Sequence, residues 1–267
     1  MSHIHIPDGI LPLWLVAAGW ALTLALLYLS ARRLSGPEAR RKMPLLGVMA
    51  AVMLVGMSTE FVPIAYHVNL AVLAGIIVGP AMGFLAAFIV DLILALFGHG
   101  GITVVGLNTL IIGAECALGY FIFHGLYRML KARIKSVAAP VGATVIITLF
   151  ITTMLLIGVI ALSNLDPGKA RDTGSLDAAT LSFRNPFAAG VLSNRVVSPE
   201  NEAIGNFYLR DSGVDLGRFT TAVLLLGSIG WLIEAMITAI IVQFLYRVRR
   251  DLVIPAEARR VPMESGK

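Results

Sequence analysis

The sequence predicts an all-α integral membrane protein with seven transmembrane helices, its amino terminus outside and its carboxyl terminus cytoplasmic. Three observations carry that prediction. First, the 267 residues are 57% hydrophobic and only 14% charged, with a mean hydropathy of +0.84, too apolar for an ordinary soluble domain. Second, several charge-free stretches reach or approach the ~20 residues that a bilayer-spanning helix needs. Third, the cations stand in short blocks at the ends of these stretches: Arg32 and Arg33, Arg40 to Lys42, Arg128 to Lys135, and Arg247 to Arg250. Such blocks mark cytoplasmic loops. The net charge of +5 therefore reports orientation, and no nucleic-acid partner is expected.

Each element follows in order. The stretch from Leu11 to Ala31 has no basic residues ahead of it and no small-residue cleavage site after it, so it reads as a retained first helix and not as a signal peptide. The next apolar segments are Pro44 to Thr59, His67 to Val78, Met82 to Phe97, Val104 to Leu126, Ala138 to Leu162 and Phe219 to Tyr246. The third and fourth are parted only by Gly79-Pro80, which also fits a kink in one long span, since membrane helices tolerate such pairs when neighbours satisfy the freed backbone. Parity favours seven spans, because six would strand one basic block outside. A single membrane domain over 1–267 results. Its parts are an amino-terminal tail at 1–10, six helices over 11–162, an outer loop at 163–216, a seventh helix at 217–247 and a cytoplasmic tail at 248–267.

This topology gathers His3, His5, His67 and His99 at the outer face and leaves His124 near the inner end of the fifth segment. The outer loop, from Ser163 to Leu216, is polar and turn-rich (DPGKARDTG, RNPF, SPENE) and longer than connections usually run without a role. It suits a lid, a docking surface or a tolerated insertion.

The chemistry begins at the opening MSHIH. A primary amine followed by a histidine one or two residues later offers an amine nitrogen, peptide nitrogens and an imidazole in one plane, the tetragonal field that nickel(II) and copper(II) favour. Met1-Ser2-His3 has two intervening peptide nitrogens; trimming Met1 leaves Ser2-His3. A solvated polar tail is the bland alternative. His67 adds an imidazole at the same face, and ionisable groups near spans are functional candidates. The one cysteine, Cys116, forms neither an internal disulfide nor a thiolate cluster, so any metal ligands are nitrogen and oxygen.

Four blocks, IPDGILPLW near the start, His67 followed by LAGIIVGP, GHGGITVVGLNT (Gly98 to Thr109) and EAMITAIIVQFLYRVRRDL, span most of the chain outside the long loop. In them the sequence resembles the CbiM/NikM family, the substrate-capture components of cobalt and nickel transporters of the energy-coupling-factor type. The resemblance implies a seven-helix subunit that takes up Ni2+ or Co2+ as transported substrate in a prokaryotic plasma membrane. It also implies ligation by the terminal amine, a peptide nitrogen and an imidazole near the terminus, together with His67. Family members typically begin Met-His-Ile, and this chain departs from that. Counted back from PDG the family histidine falls on His5; counted forward, with Met1 removed, it falls on His3. Chelate rings favour His3, because a peptide nitrogen beside a free amine closes five-membered rings that His5 cannot. The metal-ligand set is thus Met1 or Ser2, His3, His5 and His67.

Supporting groups follow. His99, Asn108 and Asn69 are placed to hydrogen-bond a ligating imidazole and fix its tautomer, although a tight turn with a satisfied histidine explains His99 equally well. Asp91, Glu115 and Glu234 lie in apolar stretches and either line a cation path or pack helices; packing is the favoured reading for Asp91 and Glu234, and Glu115 stays open between the two. Ala17, Ala21 and Ala25 recur every four residues in the first helix, a small-residue stripe that admits a neighbouring helix. The resemblance implies contact there with a transmembrane coupling subunit, while packing within the chain fits the same spacing. No phosphate-binding G-x-x-x-x-G-K-[ST] and no H-E-x-x-H or G-x-S-x-G is present. The chain is therefore not expected to be an enzyme, and any ATPase is a separate subunit, alongside the coupling subunit and a small additional membrane subunit in the bilayer. Two other readings remain: a stand-alone permease with a polar path through its acids, and an intramembrane metalloenzyme with Glu60 as its base.

Overall fold

A computed structural model describes residues 11–34, 36–59, 67–97, 101–131, 133, 136–162 and 216–254. Among them the chain forms helices and no strands. In chain order these are α1 (Leu13–Arg33), α2 (Pro37–Ser58), α3 (Ala71–Val78), α4 (Pro80–Leu96), α5 (Val105–Leu130), α6 (Ala138–Leu162), α7 (Leu216–Val248) and the single turn α8 (Arg250–Val253). The opening MSHIH, Glu60 to Tyr66, His99 and the loop from Ser163 to 215 lie outside the described residues.

Every apolar segment read from the sequence contains a helix, but their lengths differ in a way that hydropathy does not register. Leu13–Arg33, Val105–Leu130, Ala138–Leu162 and Val223–Val248 are long and apolar enough to cross a membrane, whereas Lys42–Ser58 and Pro80–Leu96 are shorter apolar helices. The segment from His67 to Val78 departs furthest from expectation. Its first four residues are not helical, and the helix that follows has eight residues, about 12 Å at 1.5 Å per residue. It cannot cross a bilayer by itself. Gly79 (φ 85°, ψ 172°) separates it from α4, in a region of backbone space that residues with a Cβ avoid, and Pro80 starts α4 where a missing N–H does no harm. Since α3 and α4 also pack on each other, the Gly79-Pro80 pair divides two helices instead of kinking one.

The short helix lies at the centre of the molecule. All eight residues of α3 are buried, enclosed by α2, α4, α5, α6 and α7, with α8 reaching it from the far end of the chain. α5 is the other hub, packing against α1, α3, α4 and α6. The core between them is Val72, Ile76, Met53, Met57, Ile112, Phe123, Val145 and Leu149, each 2% exposed or less. Around it the helices turn large apolar side chains outward: Leu22 and Tyr28 on α1, Phe150 on α6, and Leu225, Leu232, Met236 and Phe244 on α7 are all more than 45% exposed. That inversion suits a hydrocarbon solvent, which does not penalise exposed leucine.

α1 shows which of its faces serves the bundle. Gly19, Thr23 and Ser30 are buried, Thr23 donates from Oγ1 to the Gly106 carbonyl at 2.6 Å, and the Trp20 indole N–H donates to the Thr103 carbonyl at 2.6 Å. Ala17, Ala21 and Ala25 lie on the other side and are exposed. The alanine stripe is therefore not used for packing among the described residues.

Candidate functional site

The apolar interior holds an unusual number of polar groups, and they converge on the four residues ahead of α3. His67 is partly buried; Val68, Asn69 and Leu70 are buried. Having no helix or sheet of their own, these residues need partners for their backbone groups, since an unpaired buried N–H is costly. α7 supplies them. The Glu234 carboxyl group accepts from the Asn69 N–H through Oε2 at 3.3 Å and from the Leu70 N–H through Oε1 at 3.1 Å. An acid in that position also complements the amino-terminal end of α3. Glu234 is itself fully buried.

A second acid grips the side chain of the same residue. The Asn69 Nδ2 amide donates to Glu115 Oε2, and the other oxygen, Oε1, accepts from the Thr152 hydroxyl at 2.9 Å. Asn69, Glu115 and Thr152 are 0%, 1% and 2% exposed. α5 and α7 thereby meet the segment directly, α6 backs Glu115 through Thr152, and α2 approaches from another side, because a Cβ on Gly56 would lie 2.5 Å from the Val68 carbonyl oxygen.

The clamped chain holds an unfavourable conformation. Leu70 sits at φ 58°, ψ 16°, the only non-glycine residue with positive φ among those described. A left-handed leucine costs roughly 1–2 kcal/mol and persists only where its surroundings impose it. The bonds from Glu234 hold the N–H of this residue and of the one before it and supply that constraint.

His67 is the one histidine of the expected ligand set that lies within the described residues; Met1, Ser2, His3 and His5, with His99, lie outside them. Among the described residues no three His, Cys, Asp or Glu side chains group closely enough to hold a metal ion. Asn69, expected to steady an imidazole directly, gives its amide to Glu115 instead. Asn108 is buried in the first turn of α5, 2% exposed. Asp91 is equally buried in α4, and Glu115 and Glu234 both bind the chain around Asn69 through their carboxyl groups. Thr152 was not singled out by sequence reasoning. A signal for it exists: Thr144, Thr148 and Thr152 recur every four residues in α6 and are all buried, an inward polar stripe on an otherwise apolar helix.

Residues 5–252 match the family model described as cobalt uptake substrate-specific transmembrane region. The chain is 35% identical over 136 residues to a cobalt transport protein of Geobacter sulfurreducens, covering 47% of this chain and 39% of that protein. It is 31% identical over 147 residues to a protein of Archaeoglobus fulgidus named as a fused nickel transport protein, covering 53% of this chain and 48% of the other. The matched stretches thus span less than half the length of both relatives. The fold is shared with the crystal structure of a truncated transition metal transporter, at a TM-score of 0.61 and 19% identity, over 92% of this chain and 99% of that one.

Proposed function

This chain belongs to the family of cobalt uptake substrate-specific transmembrane regions, and on that premise we propose that it is the metal-capturing membrane subunit of an ATP-driven importer of Ni2+ or Co2+. The observation that carries the reading is the buried frame around His67, which lies next to a chain segment held by acids from α5 and α7.

In the proposed mechanism the amino-terminal tail folds into the outer mouth of the bundle. The terminal amine, with Met1 kept or trimmed to Ser2, joins the peptide nitrogen and imidazole of His3 and the imidazole of His67 in a plane around the ion. His5 serves as an outer ligand or relay, and His99 and Asn108 steady the imidazoles. Four nitrogens in one plane favour nickel(II) over cobalt(II), although metal availability can override such a preference. The bundle lies in a prokaryotic plasma membrane, with the short central α3 enclosed by its other helices, the amino terminus and the 163–216 loop outside and the basic blocks inside. The exposed face of α1 bearing Ala17, Ala21 and Ala25 meets a transmembrane coupling subunit, ATP hydrolysis takes place on separate subunits, and a small additional membrane subunit completes the assembly.

The test is a nickel(II) titration of the purified full chain, followed by visible absorption, with the native amino terminus and with a version extended by a few residues. A square-planar d–d band seen only with the native terminus is the expected result. Equal binding by both proteins would remove the amine from the site. A stand-alone permease is distinguished by flux: reconstituted protein without any ATPase would carry metal down its gradient.

A further inference from the structure

Resting on the reading of His67 as a ligand, we infer that Glu234 and Glu115 are positioning residues of the capture site, which hold the His67–Leu70 segment in the geometry that lets its imidazole close on the ion. Neither acid touches the metal in this assignment. Both act through Asn69 and Leu70.

The geometry points to this role because the segment carrying His67 has no regular structure to hold it. A ligand must be kept within about 0.5 Å of its productive position by groups that are themselves locked, and in this segment the locking groups come from distant parts of the chain. Glu234 lies 164 residues beyond Leu70, and its two oxygens take the N–H groups two and three positions after His67. Glu115 lies 46 residues beyond Asn69 and is in turn oriented by the Thr152 hydroxyl. A helix-packing role would need only one contact of either acid with a neighbouring helix. Here the Glu234 carboxyl group takes two consecutive backbone N–H groups of one non-helical stretch, the second belonging to the one non-glycine residue among those described that is in a left-handed conformation. Since Glu234 is on α7, which also packs against α6, any displacement of α7 is transmitted to the segment bearing the imidazole.

The experiment titrates nickel(II) into the full-length protein in detergent and reads affinity, the wavelength of the d–d band and the melting temperature. Glu234→Gln keeps the size of the side chain but replaces one acceptor oxygen by an N–H donor, which opposes a backbone N–H. It is expected to weaken nickel binding at least tenfold and to move the band, because every folded molecule then offers a misplaced imidazole. Loss of folded protein alone would lower the amplitude and leave wavelength and affinity unchanged. Thr238→Val, one turn further along α7, is the control: Thr238 is fully buried and its hydroxyl has no hydrogen-bond partner among the described residues, so binding is expected to stay at the wild-type level. Thr152→Val, which removes the donor that orients Glu115, is expected to weaken binding several-fold and decides the matter should Glu234→Gln fail to fold.

The outcomes separate cleanly. If His67→Ala binds nickel like wild type, the ligand assignment falls. If His67→Ala loses binding while Glu234→Gln and Thr152→Val keep wild-type affinity and band position, the positioning role is overturned. It is equally overturned if Thr238→Val weakens binding as much as Glu234→Gln, since the effect would then be general to α7.

Discussion

Replacing Gly75 by alanine tests the fold and the site together. Gly75 lies in the middle of α3, where a Cβ would stand 2.7 Å from the Cys116 carbonyl carbon and 2.8 Å from its Cα, with the carbonyl oxygen closer still. These are backbone atoms at the centre of α5, so no side chain can swing away. Ordinary contact begins at 3.4 Å, and α3 must back off until the shortest of these separations reaches that value. Overpacking of this kind costs about 1–3 kcal/mol. The displacement also pulls on the Leu70 and Asn69 N–H bonds to Glu234, which at 3.1 and 3.3 Å have little room before they leave hydrogen-bonding range. Losing one such bond costs about 0.5–1.5 kcal/mol, which, carried over to binding, corresponds to roughly a twofold to tenfold loss of nickel affinity. The assay pairs thermal unfolding in detergent with a nickel titration. Gly75→Ala is expected to melt lower and to bind more weakly. A variant with wild-type melting and wild-type affinity would refute both the tight α3–α5 contact and its link to His67.

Other perturbations have equally definite expectations. Gly125→Ala on α5, where an added Cβ meets nothing within 4 Å, should stabilise the protein by about 0.5–1 kcal/mol, visible as a higher melting temperature. Thr23→Val removes the donor to the Gly106 carbonyl and leaves that oxygen buried without it, so a loss of about 1–3 kcal/mol is expected in the same melting assay. Nickel affinity should fall as the pH is lowered, because an imidazole and an α-amine hold protons below about 6.5 and 7.7–8.0 respectively and must give them up to bind; affinity that is flat from pH 8 to 6 would exclude both ligands. Ala21→Leu, on the exposed face of α1, should leave melting of the isolated chain unchanged and lower uptake by the assembled transporter, and unchanged uptake would remove the coupling subunit from that face.

The amino-acid order by itself determined that this chain is helical and belongs in a membrane, and where its apolar segments fall. Those are local properties: hydropathy over about twenty residues, charge at helix ends and motif identity need no knowledge of what lies opposite. Only the tertiary structure decided that the His67–Val78 stretch is a short helix behind a non-helical lead, because eight residues become a stable helix when every one of them is enclosed by neighbours. It also showed which distant groups Glu115 and Glu234 hydrogen-bond. A carboxylate in an apolar run reads the same whether it lines a path or binds a backbone; the difference lies in partners 46 and 164 residues away. Likewise the alanine stripe of α1 gained a direction only when Gly19, Thr23 and Ser30 were seen to be buried against the bundle. Pairings across such distances are set by how the helices close on one another, and that information is spread over the whole chain and present in no single segment of it.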